Sequence, residues 1–341
     1  MVNFFFCTDI HGSEAVWKKF LNTAKYLKVD TLIMGGDITG KRIVPIIQKD
    51  DGSWIGSIYG TTDQAVIMNT EEEIAEFETK ARMAGCYPYR LTPEEDAELS
   101  ASDSVTADGK MIKGGALDKL FDKVEAEGLQ KWIDMIDDVM DDGTKRVPDG
   151  TRIIICPGND DKFAIDEIIK KDPRVIYGEL TKVDLDEHHE MISYGWTNRT
   201  PWNTYRETDE ENLEAKIEEL VAMLRNVDNS VFCFHAPPYD SRIDEAPLLK
   251  IDEENKLPTY VGYRGGEPIK GPVGSKAVRK AIEKYKPLMG LHGHIHESAG
   301  FMKIGRTYCI NPGSEYTEAI LKGFLIELDK GKMKKMQRVE A

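Results

Sequence analysis

Five short segments of this chain place hard or borderline metal ligands directly after apolar runs: Asp9-Ile10-His11, Gly36-Asp37, Gly158-Asn159-Asp160, His235 and Gly293-His294-Ile295-His296. Imidazole nitrogens and carboxylate or amide oxygens without thiolates suit manganese, iron or zinc in an open coordination sphere. Singly, each segment is ordinary: Asp-x-His arises by chance, Gly-Asp is usually a turn, and an isolated His after a strand is more often a satisfied core residue. Their joint order and placement carry the reading. Residues i and i+2 of extended chain point the same way, so Asp9 and His11 can face one centre, and His294 and His296 one metal or two adjacent ones.

The elements that must position these groups alternate along the chain. Phe4–Cys7 reads as a strand, the apolar spacing of Trp17, Phe20, Leu21, Ala24 and Leu27 as a helix, and Thr31–Met34 as a second strand, a βαβ opening. The alternation resumes at Arg152–Cys156, with a helix near Ile165–Ile169 and strands near Arg174–Tyr177, Met191–Tyr194 and Val231–Phe234. A helix capped by Ser275 follows, then strands at Leu288–Leu291, Thr307–Ile310 and Phe324–Leu328. The class is α/β, and in open α/β sheets ligands bind outside the carboxyl ends of strands, where the five segments lie.

Residues 42–148 break this pattern and read as an insertion: a hairpin (Ile43–Gln48, a turn at Asp50-Asp51-Gly52, Trp54–Tyr59) and helices near Glu71–Met83 and Leu117–Met140. The insertion holds 23 acidic and 12 basic residues, most of the acidity of a 341-residue chain with net charge −15. That balance disfavours a broad nucleic-acid surface without excluding a small anion held by metal. With 40% hydrophobic and 31% charged residues the chain reads as a globular protein. No membrane span and no signal peptide are read, and the expected compartment is the cytoplasm. Five cysteines without CxxC spacing, four of them (Cys7, Cys156, Cys233, Cys309) in strand-like runs, read as core packing. Lys330–Lys335 reads as a solvated terminus, and His188 and His189 as solvent-facing.

The ordered set Asp9-Ile10-His11, Gly36-Asp37, Gly158-Asn159, His235 and Gly293-His294-Ile295-His296 resembles the signature of the calcineurin-like metallophosphoesterases. His235-Ala236-Pro237-Pro238, His292–Glu297 and Asn311-Pro312-Gly313-Ser314 further resemble a prokaryotic phosphoesterase branch related to cyclic-nucleotide phosphodiesterases. The resemblance covers both blocks flanking 42–148. It implies a four-layer sandwich, two packed mixed β-sheets flanked by helices, with 1–341 as one domain; it leaves 42–148 unexplained, and the pattern break alone reads that stretch as an inserted hairpin-plus-helix cap. It also implies two divalent transition metal ions: Asp9, His11 and His296 on the first, Asn159, His235 and His294 on the second, and Asp37 bridging. The implied reaction is hydrolysis of a small phosphate ester by a metal-activated hydroxide, with Asn159 and His235 near the reacting group.

The pattern departs at Asp160, where many members have a His that serves as general acid. A carboxylate beside two cations is a poor proton donor, so phosphodiesters and activated esters are favoured over alkyl monoesters; Asp160 as a cap of the following helix or a partner of a neighbouring His is the plainer alternative. Trp196, Arg199 and Arg264 are candidate substrate-binding residues, as rings and phosphate-pairing cations that equally often pack loops. His292 is a candidate outer partner of the ligand pair, and Asn311–Ser314 a turn shaping the site floor. Other readings are a non-catalytic protein-binding scaffold on the same fold and a nuclease, which would need a basic groove. The insertion closes over the rim of the site, joins two copies in a homo-oligomer, or is a stabilising appendage far from the site.

Overall fold

The opening strand sends its side chains alternately to two cores: Phe4 and Phe6 to one, Phe5 and Cys7 to another, all four buried. Both cores exist because a strand with two apolar faces has to be covered on both sides. The computed structural model describes residues 1–58, 64–101, 115–253 and 257–341.

In the first six-stranded sheet, β1 (Val2–Cys7), β2 (Thr31–Met34), β7 (Arg152–Ile155) and β8 (Ile176–Tyr177) run parallel, and β23 (Lys322–Asp329) and β24 (Lys332–Glu340) add antiparallel strands at the β1 edge. The second is built the same way: β10 (Glu190–Tyr194), β13 (Val231–Phe234), β20 (Met289–Leu291) and β22 (Thr307–Asn311) are parallel, flanked by antiparallel β9 (Lys182–Asp184) and β21 (Gly300–Ile304). One apolar cluster joins them, with Phe4, Phe6, Ile33, Ile154 and Cys156 from the first meeting Met191, Val231, Cys233, Leu291 and Ile310 from the second.

Helices cover the opposite faces. On the first sheet α1 (Glu14–Tyr26), α4 (Ala116–Asp134) and α5 (Ala164–Lys171) share a cluster with Phe5, Leu32 and Ile155; Trp17 stacks on Trp132 at 5.6 Å and donates its Nε1–H to the Trp132 carbonyl at 2.8 Å. On the second, α6 (Glu210–Val221) and α7 (Lys276–Tyr285) pack on Ile192, Phe232 and Cys309. Ser275 caps α7, its Oγ accepting from the Val278 N–H at 3.2 Å.

The 42–148 stretch divides between two cores. Strands β3 (Ile43–Gln48), β4 (Trp54–Gly56), β5 (Val66–Met68) and β6 (Tyr87–Leu91) form a sheet whose Val44, Ile46 and Met68 pack with Ile74, Phe77 and Ala81 of α2 (Glu71–Met83) in a small core of their own. Helix α3 (Pro93–Ala101) follows. Helix α4 instead belongs to the core under the first sheet. The expected hairpin pairs as β3 and β4, with Ile46 opposite Gly56; its outer end at Tyr59 lies outside the described residues. The unit is fastened to the chain after β1 through glycines: a Cβ on Gly12 would collide with Gly40 and the Gly85 carbonyl, and one on Gly85 with the His11 carbonyl. Gly12 and Gly85 also have φ of +78° and +75°, which L side chains rarely adopt.

Short ladders complete the chain: β11 (Thr197–Asn198) with β12 (Glu207–Thr208), and a projecting arm in which β14 (Glu245–Pro247) pairs with β19 (Lys270–Pro272), β15 (Leu249–Ile251) with β16 (Pro258–Tyr260), and β17 (Tyr263–Arg264) with β18 (Glu267–Pro268). Two readings are corrected. The lysine-rich end continues as β24, because its other residues find a ladder partner in β23. His189 is fully buried, bonded to Asp186 at 2.8 Å and accepting from the Gly331 N–H at 3.1 Å. All five cysteines are free and buried. Among the described residues no helix is long and apolar enough to cross a membrane.

Candidate metal centre

Asp9, Asp37 and Asn159 lie just beyond the carboxyl ends of β1, β2 and β7, three neighbouring parallel strands of the first sheet. His235, His294 and His296 lie beyond β13 and β20, neighbours in the second. Packing the sheets face to face brings the two sets together with His11. His11 Nε2 is 3.0 Å from His296 Nε2, His296 Nε2 is 3.3 Å from Asp9, and His235 Nε2 is 3.3 Å from Asp37 and 3.7 Å from Asp9. Three groups of donor atoms lie close enough to surround a cation: Asp9, His11 and His296; Asp37, His235 and His294; and His11, Asp37 and Asp160.

The backbone at these positions is held in an unusual state. Asp9, His11, Asp37 and His294 have φ of +56°, +39°, +50° and +68°, a region that costs a non-glycine residue on the order of 1–3 kcal/mol. Surrounding bonds enforce it. The Asp9 N–H donates to the Gly36 carbonyl at 2.9 Å, the His11 N–H to the Asp37 carbonyl at 2.9 Å, the His294 N–H to the Asp9 carboxylate at 3.0 Å, and Ser314 Oγ to the Asp9 carbonyl at 2.6 Å. Asn311 braces the 293–296 loop, its Nδ2 donating to the Ile295 carbonyl at 2.8 Å.

Two orphaned atoms show that the donor set fits a cation. His235 Nδ1 lies 3.0 Å from the Gly35 carbonyl, to which it donates, so Nε2 is the nitrogen turned to the cluster; that buried Nε2 has no hydrogen-bond partner and stands 3.3 Å from Asp37, where a proton or a cation would supply the positive charge. Asn159 donates its Nδ2 to Thr204 at 2.8 Å, which fixes the amide and leaves Oδ1 buried and unpartnered. A buried acceptor without a donor is costly unless something positive sits against it.

The titrating groups report the same crowding. Burial works against the Asp9 carboxylate, yet His235, His296 and His11 outweigh it and hold Asp9 far below the usual carboxylate range. Burial, with help from Asp160 and against the pull of His235, pushes Asp37 up to about 6. Burial would lower His235, but the carboxylates of Asp37 and Asp9 raise it to about 10, a pull toward positive charge at Nε2 that a cation would satisfy in place of a proton. Burial lowers His294 to about 3 and His292 to about 4, leaving both neutral.

Lys41, Asp161 and Arg206 carry no clear signal in the sequence, whereas Asp160 and His292 are candidates there. Lys41 Nζ is 2.9 Å from Asp160, whose own N–H donates to Asp37 at 2.8 Å; Asp160 therefore faces the cluster. Buried Asp161 accepts from the N–H groups of Gly158, Ile38 and Thr39 at 2.7, 3.0 and 2.9 Å, locking the β2 and β7 loops together. Buried Arg206 pairs with Asp166 at 2.7 Å and donates to the Asp161 carbonyl at 3.0 Å. His292 hydrogen-bonds the Phe234 and Ala236 carbonyls at 2.8 and 3.0 Å, tying the His235 loop to β20.

A cavity of about 980 Å³ opens from Asp37, Asn159, His294 and His296 toward Trp202 and the arm that carries β14 to β16. Arg199 is in its lining. Trp196 is half-buried against Phe163, with ring centroids 6.0 Å apart, and Arg264 is exposed on β17; neither borders the cavity among the described residues.

Fold and site thus define an α/β protein with a buried His/Asp/Asn cluster able to hold metal. No family model matches the chain. The protein MJ1162 of Methanocaldococcus jannaschii, itself uncharacterised, is 31% identical over 167 residues, which is 48% of this chain and 65%, just under two thirds, of that relative. A solved crystal structure aligns with 98% of each chain at a TM-score of 0.56 and 16% identity, which shows a shared fold and nothing about chemistry. TT1561 of Thermus thermophilus (11% identity, 99% of this chain and 98% of that one) has a TM-score of 0.47. The sulfate thiohydrolase SoxB of Thermus thermophilus (11%, 99% and 56%) has 0.35. Likenesses this loose carry no argument about activity.

Proposed function

We propose that the protein is a binuclear metal-dependent phosphoesterase, built on a four-layer metallophosphoesterase sandwich, that hydrolyses phosphodiesters in preference to monoesters. The observation that carries the reading is the convergence of all seven ligand-type side chains at the carboxyl ends of two docked sheets, with Asn159 Oδ1 and His235 Nε2 buried and unpartnered there. Asp9, His11 and His296 would hold one cation, Asn159, His235 and His294 the other, and Asp37 would lie between them. When bound, such a pair supplies positive charge for a phosphoryl group and lowers the pKa of water.

The chain's own residues do the rest. Asn159 Nδ2, which donates one N–H to Thr204 at 2.8 Å, would keep its second N–H for an oxygen of a bound phosphoryl group. The Gly35 carbonyl keeps His235 in one tautomer and orientation. Lys41 engages Asp160 at 2.9 Å, so that carboxyl is tied up as an ion-pair partner and is a poor proton source for a leaving alcohol. This supports diesters and esters with good leaving groups over alkyl monoesters. The test reloads metal-stripped protein separately with manganese, iron and zinc and follows bis(p-nitrophenyl) phosphate and p-nitrophenyl phosphate. Turnover of the diester that disappears in Asp37→Ala supports the reading; no turnover with any metal leaves the scaffold alternative.

A further inference from the structure

We propose that the substrate is a phosphate ester whose organic part is a bulky apolar group, an aromatic ring system or a long alkyl chain, seated against Trp202 and the β14–β16 arm. The inference rests on the phosphoesterase reading only for which end of the cavity takes the phosphate. At about 980 Å³ the cavity sits at the top of the range for pockets that engulf organic ligands, far more room than a phosphate with a small alkyl group fills. Its two ends differ in chemistry. The ligand end is polar; the far wall is Pro247, Leu248, Leu249, Pro258, Tyr260 and Trp202, with no charged side chain among them. Arg199, the nearby cation, is directed to Asp209 at 3.9 Å.

Two aromatic side chains make this wall a binding surface. Trp202 and Tyr260 keep 64% and 42% of their surface exposed, so aromatic area at the cavity mouth stays in water unless a ligand covers it. Asn198, also in the lining, donates its Nδ2 to the Val273 carbonyl at 3.1 Å, which ties this side of the cavity to the chain that follows the arm.

The test is calorimetric binding of methylphosphonate, decylphosphonate and (1-naphthylmethyl)phosphonate to manganese-loaded protein. At least one large phosphonate should bind about tenfold tighter than methylphosphonate, and which one does separates an alkyl from an aryl source. In Trp202→Ala and Leu248→Asp that ratio should collapse toward one, whereas a merely structural defect weakens all three ligands in step. Equal affinities in the parent protein, or a ratio unmoved by both substitutions, overturns the proposal. The phosphoesterase reading fails separately: if Asp37→Ala or metal stripping leaves every affinity unchanged while size selectivity persists, the apolar wall stands and the metal role does not.

Discussion

The two six-stranded sheets share a plan, four parallel strands edged by antiparallel ones, yet they bring different chemistry to the site. The first contributes oxygen donors, Asp9, Asp37 and Asn159, with the single imidazole of His11. The second contributes imidazoles alone, His235, His294 and His296. Two of the three candidate groups, Asp9–His11–His296 and Asp37–His235–His294, take members from both sheets. The cluster comes into being when the inter-sheet core closes, and that core also fixes the Asp9–His294 and His235–Gly35 bonds that cross from one sheet to the other. A cation held by either mixed group would therefore couple its binding to inter-sheet packing.

The largest effect is expected where the first sheet's central oxygen is removed. Asp37→Ala should abolish stable metal retention and lower diester turnover by more than about a hundredfold, since even partners outside the ligand set cost roughly 10–100-fold; metal analysis and rates check it, and a variant holding two cations at parental rate contradicts the assignment. Next comes the joint itself. A Cβ at Gly293 would drive into the Asp9 carboxylate and Thr8, so Gly293→Ala should cost roughly 10–100-fold in rate and release metal first from the Asp9–His11–His296 side, with circular dichroism unchanged.

Two smaller effects probe the halves away from the ligands. Cys156 lies in the inter-sheet core against Cys233, and Cys156→Ser would place a hydroxyl there at a cost of about 1–3 kcal/mol, read as a lower Tm with metal content unchanged at 25 °C. On the first sheet's side alone, burial pushes Glu125 of α4 up to about 9 from the ordinary glutamate value of 4.5, against the pull of its bond to Thr39. Between those two values the folded chain keeps a proton that the unfolded chain has lost, so this group's contribution to stability falls as pH rises across the window. Glu125→Gln should remove that fall, raising Tm relative to the parent by a few degrees at about pH 8.5 and by much less at about pH 5. Parallel Tm curves for the two proteins would show that Glu125 is not the group responsible.

The central strands were legible because their two-sided burial writes continuous apolar runs such as Phe4–Cys7 and Val231–Phe234, and the ligand segments because each follows such a run. Less was legible where tertiary partners override local pattern. The strand β6, with Pro88 and Arg90, has little β character of its own and forms by pairing parallel to β3. The lysines of β24 hid an edge strand, and lysine is what protects such edges from further pairing. Asp161 and Arg206 had no readable motif because their work, bonding loop backbone in the interior, depends on distances no spacing reports. Lys41 reads as a surface lysine until Asp160 is placed beside it.

The three-glycine seam of Gly12, Gly40 and Gly85 sets a rule for anyone remodelling this chain. The small β3–β6 unit is welded at its root, main chain to main chain, to the turn that presents His11. Redesign of that appendage can proceed from its outer strand inward, with Val66 and Ile67 already facing water. Excising it at the base would strip the His11 carbonyl of the backbone pressed against it and slacken a proposed metal ligand from behind.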